Sequence, residues 1–167
     1  MDIKAILAFF VLFLHIYYIK YIIYRDYTQI MIDLGEKLGF QLGQRILLLS
    51  PPKETAEKLK QMSPPGVVFR EKVKAEKFDI ILFWPRKIDG LDDKFFKLTH
   101  YIKPEGAIWA VMPKTEFSSK YGIEFNLDDL KKAASETVLE DDKEEIFTEE
   151  EFGTRFVIRE ELRKHYK

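Results

Sequence analysis

Three continuous apolar runs constrain the fold of this chain most strongly. They are residues 45–49 (RILLL), 78–84 (FDIILFW) and 107–112 (AIWAVM). Each has the length of a strand and almost no polar residue, which is typical of a strand buried on both faces of a parallel sheet. Burial on both faces requires helices on both faces. The sequence therefore predicts an α/β domain with a mostly parallel sheet.

Helical patterns and turns separate these runs. Residues 53–62 place their apolar side chains on one side of a helix, and a second helix is predicted by the repeat of Leu91, Phe95, Leu98 and Ile102. Asn126 is suited to cap a third helix. A short strand is expected at 67–69, a turn at 103–106, and two closing antiparallel strands at 145–148 and 154–159. Right-handed crossovers between parallel strands make this order Rossmann-like.

The N-terminus differs from the rest of the chain. Residues 5–14 (AILAFFVLFL) are wholly apolar, and the apolar pattern continues to Tyr24 with interruptions at His15 and Lys20. A helix over residues 3–24 would extend about 33 Å, close to the ~30 Å hydrocarbon core of a bilayer. We therefore predict an N-terminal transmembrane helix, retained as a single-pass anchor.

Two alternatives remain open for this segment. His15 and Lys20 also suit a surface-seeking or oligomerising helix, and a start at Met31 would give a soluble cytoplasmic domain. For the anchored form, Lys20 and Arg25 lie on the C-terminal side of the apolar run, which favours a cytoplasmic C-terminal domain.

The predicted division is an anchor at 1–25, a Rossmann-like domain at 26–160 and a polar tail at 161–167. One apolar stripe links the first two parts: Tyr27, Ile30, Met31, Leu34 and Leu38 share a helix face. Gly39 follows as a helix-ending residue. No Gly/Ser linker intervenes, so the domain is expected close to the bilayer.

Composition excludes several classes of function. The formal net charge of −1 gives no reason to expect a nucleic-acid partner. There is no Cys, and the three His residues are far apart, so no metal site is predicted. No catalytic set and no P-loop is present. The acidic run at 140–151 suits either a basic partner or, in the simpler interpretation, a solvated hairpin whose charges protect a sheet edge.

Four segments carry a resemblance. They are residues 42–52 (LGQRILLLSPP), 77–84 (KFDIILFW), 101–114 (YIKPEGAIWAVMPK) and 149–160 (EEEFGTRFVIRE). Over about residues 34–160 the chain resembles an uncharacterised bacterial family of small Rossmann-like domains, known as a domain of unknown function. That family is distantly similar to class I S-adenosylmethionine-dependent methyltransferases. Where the family has Gly-Val/Ile-Lys-Thr-Asp, this chain has YGIEFN at 121–126. The resemblance implies a fold and supplies no substrate.

The resemblance also implies where a cofactor would bind. Methyltransferase-type domains bind it at a Gly-x-Gly loop after the first strand, where this chain has Ser50-Pro51-Pro52. Proline fixes φ and lacks an N–H donor, so two donors are missing at this loop. Glu71 is the one candidate for a ribose-binding acid at the second strand. We therefore expect no ordinary S-adenosylmethionine site and no cofactor.

A ligand crevice is still expected beyond the carboxyl ends of the strands. The residues delivered there are Ser50, Trp84, Arg86, Pro113 and Lys114. Arg86 and Lys114 suit a phosphate or carboxylate, with Trp84 as a stacking wall; alternatively, Trp84 only packs and the two cations are solvated. The predicted function is a membrane-anchored, non-catalytic module that binds a protein partner or a small ligand. The alternative is a degenerate S-adenosylmethionine- or nucleotide-dependent enzyme.

Overall fold

The computed structural model describes residues 3–73 and 75–166, and the surroundings of the side chains at 3–11, 24, 26–33 and 62 lie outside this description. The α-helices are α1 (Ile3–Leu38), α2 (Lys53–Met62), α3 (Leu91–Thr99) and α4 (Leu127–Ser135). The strands are β1 (Arg45–Leu49), β2 (Val68–Arg70), β3 (Phe78–Phe83), β4 (Ile102–Pro113), β5 (Leu139–Ile146) and β6 (Glu151–Ile158). Two 3₁₀ helices occupy Thr115–Tyr121 and Glu160–His165.

The described strands form one sheet in the order β2-β1-β3-β4-β6-β5. Strands β2, β1, β3 and β4 are parallel, whereas β6 pairs antiparallel with both β4 and β5. This confirms the predicted Rossmann-like α/β fold and its closing antiparallel pair. The chain leaves β1 toward β2 on one side and later enters β3 on the other side, so the order reverses between β1 and β3.

Each face of the sheet carries its own core. On one face α3 and α4 cover a cluster that includes Phe78, Phe95 and Phe156. On the other face α2 and the end of α1 cover a cluster that includes Leu82 and Trp109. Helices therefore cover both faces, which explains why β1, β3 and β4 are apolar on both sides.

The acidic run is the edge strand of the sheet. β5 begins at Leu139, well before the predicted 145–148, and residues 140–144 are exposed. Its charges are partly paired: Lys131 contacts Asp141 and Glu144, and Arg155 contacts Asp142. A register shift between Asp141 and Lys143 further interrupts the edge. Charges and irregularity at an edge strand oppose pairing with another chain.

The turn predicted at 103–106 is wrong, because these residues lie inside β4. Phe78 pairs with Ile102, but Ile80 already pairs with Ala107, so the intervening residues form an irregularity within the strand. Lys103 Nζ donates to Asp79 Oδ1 at 2.6 Å and stabilises this distortion. Turn-forming residues here produce a bulge in a continuing strand.

The N-terminal helix α1 is continuous across the predicted boundary at residue 25 and ends at Leu38. Gly39 follows with φ +82° and ends it as predicted. In the described part of the chain no helix has the length and apolarity needed to span a bilayer. The transmembrane span is predicted at residues 3–24. The side chains of residues 3–11 and of Tyr24, which make up much of that span, lie outside the described part of the structure.

Candidate functional site

The loop after β1 lies at the point where the strand order reverses, which is where open α/β sheets bind ligands. Ser50 is exposed and has φ +57°, the left-handed conformation usually left to glycine. Pro51 and Pro52 follow, and α2 begins at Lys53 without a side-chain cap. A non-glycine residue thus adopts the backbone geometry for which cofactor loops use glycine.

The chain itself covers Trp84, the residue that follows β3. The Trp84 backbone N–H donates to the Leu49 carbonyl at 3.2 Å, which continues the ladder between β1 and β3 by one bond. The Trp84 side chain is only 2% exposed. The Phe147 ring packs edge-on against it with 5.7 Å between centroids. Phe147 follows β5, so the β5–β6 turn (residues 147–150) covers the predicted stacking wall.

Glu151 introduces a buried carboxyl group beside this contact. It is 5% exposed, and burial raises its pKa against the opposing effects of the Arg86 guanidinium and the Trp84 indole. Within the described residues, however, Trp84 Nε1 has no partner in hydrogen-bonding geometry. The indole is therefore close enough to influence Glu151 but does not form a well-aligned hydrogen bond with it.

A second polar group surrounds Tyr121. The Tyr121 hydroxyl donates to Glu150 Oε2 at 2.6 Å, and Lys120 Nζ donates to both oxygens of that carboxylate. The hydrogen bond to Glu150 raises the pKa of Tyr121 to about 12, and the bonds from Lys120 and Tyr121 lower the pKa of Glu150. The Arg86 guanidinium lies 6.0 Å from the centre of the Tyr121 ring.

Lys114 binds the same β5–β6 turn. Its Nζ donates to the Glu149 carbonyl at 2.5 Å and its backbone N–H donates to the Glu150 carbonyl at 2.8 Å. Pro113 is buried and pairs with Glu151 across the β4–β6 ladder. The five sequence-predicted residues (Ser50, Trp84, Arg86, Pro113 and Lys114) all lie at the carboxyl edge of the sheet. Arg86 and Lys114 interact there with groups of the chain itself.

An open cleft of about 540 Å³ lies at the same edge of the sheet, bordered by Phe147 and by Pro52 of the loop after β1. It runs between the first turns of α2 and the β5–β6 turn. Its lining comprises Pro52, Glu54, Thr55, Lys58, Tyr121 and residues 147–151. Sequence reasoning missed Tyr121, Phe147, Glu150 and Glu151 as site residues, and the one available signal was the position of three of them in or beside the acidic run. A second cleft, of about 810 Å³, lies at the opposite, amino edge of the sheet.

The residues at the crevice do not fit S-adenosylmethionine in the pose that a glycine loop would hold. Pro51 and Pro52 lack N–H donors. Glu71, the candidate ribose acid, forms an ion pair with Lys60. Phe147 occupies the space over Trp84. In the described residues no group of three or more acidic or His side chains could hold a metal ion.

Comparison with known proteins places the fold among methyltransferases. No family model matches the sequence, and no curated protein matches it either. N-methyltransferase NodS from Bradyrhizobium japonicum superposes with a TM-score of 0.52 at 11% identity, covering 81% of this chain and 96% of that one. The ribosomal protein L11 methylase from Lactobacillus delbrueckii gives 0.52 at 10% identity, over 79% and 78% of the two chains.

An S-adenosylmethionine-dependent methyltransferase from Clostridium acetobutylicum gives 0.51 at 10% identity, over 81% and 92%. At identities this low the comparison establishes a shared architecture and gives no information about activity. The chain therefore has a methyltransferase-like Rossmann fold.

Proposed function

We propose that this chain is a methyltransferase-fold binding module, attached to a membrane by α1, that does not carry out ordinary S-adenosylmethionine chemistry. The observation that carries the proposal is the packing of Phe147 on Trp84 at the strand-order reversal. A cofactor that stacked on Trp84 would have to displace the Phe147 ring that already packs there. Phe147 and Trp84 are both 2% exposed, so this displacement would return buried apolar surface to water and is opposed.

The attachment to a membrane is supported by the exposed surface of α1. Leu12, Phe13 and Leu14 are each more than half exposed, and successive residues lie about 100° apart around a helix. The apolar exposure thus surrounds the helix and is no single stripe for packing on this domain. It continues through Ile16, Tyr17, Tyr18, Ile19, Tyr21 and Ile23. Lys20 in the last part of this stretch and Arg25 just after it suit anionic headgroups.

Binding without chemistry is supported by the site residues. Arg86 and Lys114 are the cations predicted to bind a ligand. In the structure the Arg86 guanidinium lies over the Tyr121 ring, and Lys114 Nζ donates to the Glu149 carbonyl in the β5–β6 turn. The open cleft beside the crevice, with Phe147, Tyr121 and several carboxylates, can take a small ligand or a side chain of a protein partner.

The test is calorimetric titration of the full-length chain in detergent with S-adenosylmethionine and, separately, with ATP. We expect no saturable heat up to roughly millimolar ligand, equivalent to less than about 4 kcal/mol of binding. A micromolar dissociation constant for S-adenosylmethionine that is lost in Lys114→Ala would contradict the proposal. Lys87→Ala, an exposed lysine in the loop after Arg86, is the matched control for loss of charge.

A degenerate S-adenosylmethionine- or nucleotide-dependent enzyme is the second candidate. The left-handed backbone of Ser50 favours it, since strained non-glycine residues cluster at functional sites. Cofactor retained through purification, identified by mass spectrometry of the denatured protein, would favour this candidate over the first.

A further inference from the structure

The end of α1 lies at the amino edge of the sheet. Glu36, Gly39 and Gln44 line one cleft together with Asp79 and Lys103, which lie near the beginnings of β3 and β4. Only residues 39–44 separate α1 from β1. The chain therefore enters β1 from the edge at which α1 ends.

The direction of α1 follows from its neighbour. Leu34 and Leu38 belong to the same buried cluster as Ala56 and Leu59 of α2, so the two helices share one layer. α2 connects the parallel strands β1 and β2 and therefore runs from the carboxyl edge to the amino edge. Since α1 also ends at the amino edge, its earlier residues extend toward the carboxyl edge.

The length of α1 carries it beyond that edge. Its 36 residues extend about 54 Å, whereas the six residues of β3 span only about 20 Å. More than half of α1 therefore lies outside the layer. This outer part carries the exposed apolar stretch from Leu12 to Ile23.

We propose that the carboxyl edge of the sheet, with the cleft beside Phe147, faces the headgroup layer of a bilayer. This inference depends on the membrane attachment proposed above. The amino edge, with its own cleft, then faces away from the membrane. A ligand of the site then reaches it from the membrane interface, so the expected ligand is a membrane-borne molecule recognised by its headgroup.

Because the chain contains no Cys, single-cysteine labelling gives a direct test. Glu149→Cys marks the β5–β6 turn at the carboxyl edge, and Leu42→Cys marks the amino edge; both positions are exposed. Each full-length variant is labelled with a fluorophore and reconstituted in phosphatidylcholine–phosphatidylglycerol vesicles that contain a headgroup-labelled energy acceptor. Lys87→Cys and Glu105→Cys form a second pair at the same two edges.

We expect labels at the carboxyl edge to transfer energy more efficiently by about threefold or more, because the edges are about 20 Å apart. Equal or reversed transfer in chains that float with the vesicles would overturn this inference and leave the membrane attachment standing. Chains that do not float would overturn the attachment together with the inference. Two pairs of positions keep the result from depending on the folding of one variant.

Discussion

At the scale of one residue, the left-handed backbone of Ser50 leads to a prediction about the stability of the fold. A left-handed conformation costs an L-residue about 1–2 kcal/mol, and glycine avoids that cost while adding unfolded-state entropy. Ser50→Gly is therefore expected to raise the free energy of unfolding by about 0.5–1 kcal/mol. Ser50→Val should lower it. Chemical denaturation measures both, and a marked loss of stability in Ser50→Gly would mean that the hydroxyl has a role of its own.

The buried carboxyl group of Glu151 leads to a prediction about how the free energy of unfolding depends on pH. Burial raises its folded-state pKa above the unfolded value, so the folded chain binds more protons in the window between the two. The free energy of unfolding then falls as pH rises through that window, and the penalty remains at neutral pH. Glu151→Gln is expected to melt at a higher temperature than the native chain at pH 7.

That difference should shrink below the ordinary carboxyl pKa, where Glu151 is protonated and resembles the amide. Thermal melts at pH 7 and at pH 4 measure it. A variant that is less stable by the same amount at both pH values would show that Glu151 acts through a contact other than its charge. Glu116→Gln, at an exposed position in the 3₁₀ helix, is the control.

At the scale of elements, we expect the substitution of glycine by alanine to have opposite effects on stability at two positions, Gly106 and Gly35. A Cβ on Gly106 would lie 2.7 Å from the Asp79 carbonyl oxygen, where backbone meets backbone in the β3–β4 irregularity. Gly106→Ala should cost about 1–3 kcal/mol or more. Gly35 lies within α1, where a Cβ would meet Phe40 at 3.7 Å, an ordinary contact.

Gly35→Ala should therefore stabilise the chain by about 0.5–1 kcal/mol through helix propensity. Urea denaturation of both variants gives the comparison. Similar costs at the two positions would contradict the close approach at Gly106.

The sequence predicts the elements well where burial dictates composition. β1, β3, the apolar half of β4 and α3 are visible as apolar runs or helical repeats. Asn126 forms the expected cap of α4, because its Oδ1 accepts from the backbone N–H groups of Asp128 and Asp129. The sequence does not predict the bounds of an element made mostly of charged residues. β5 is exposed at the sheet edge, so its residues carry no apolar alternation, and only the pairing with β6 makes it a strand.

At the scale of the whole molecule, a mostly parallel sheet with a closing antiparallel pair could be expected from the α/β pattern, but the packing of Phe147 on Trp84 could not. Phe147 lies 63 positions after Trp84 in the sequence, and no local pattern relates them. Their contact exists because β6 inserts between β4 and β5, which brings the β5–β6 turn to the carboxyl edge. Ser50, Arg86 and Lys114 were predictable as residues of that edge because each follows a parallel strand. Their partners were not.

The direct test of a self-occupied crevice is the solvent accessibility of Trp84. The chain has two tryptophans, Trp84 and Trp109, and both are buried. Acrylamide quenching of tryptophan fluorescence in the full-length chain should show both indoles shielded from solvent. Ready quenching of about half of the emission, with Trp109 shielded and Trp84 accessible, would contradict the account. The Phe147 ring would then not cover Trp84.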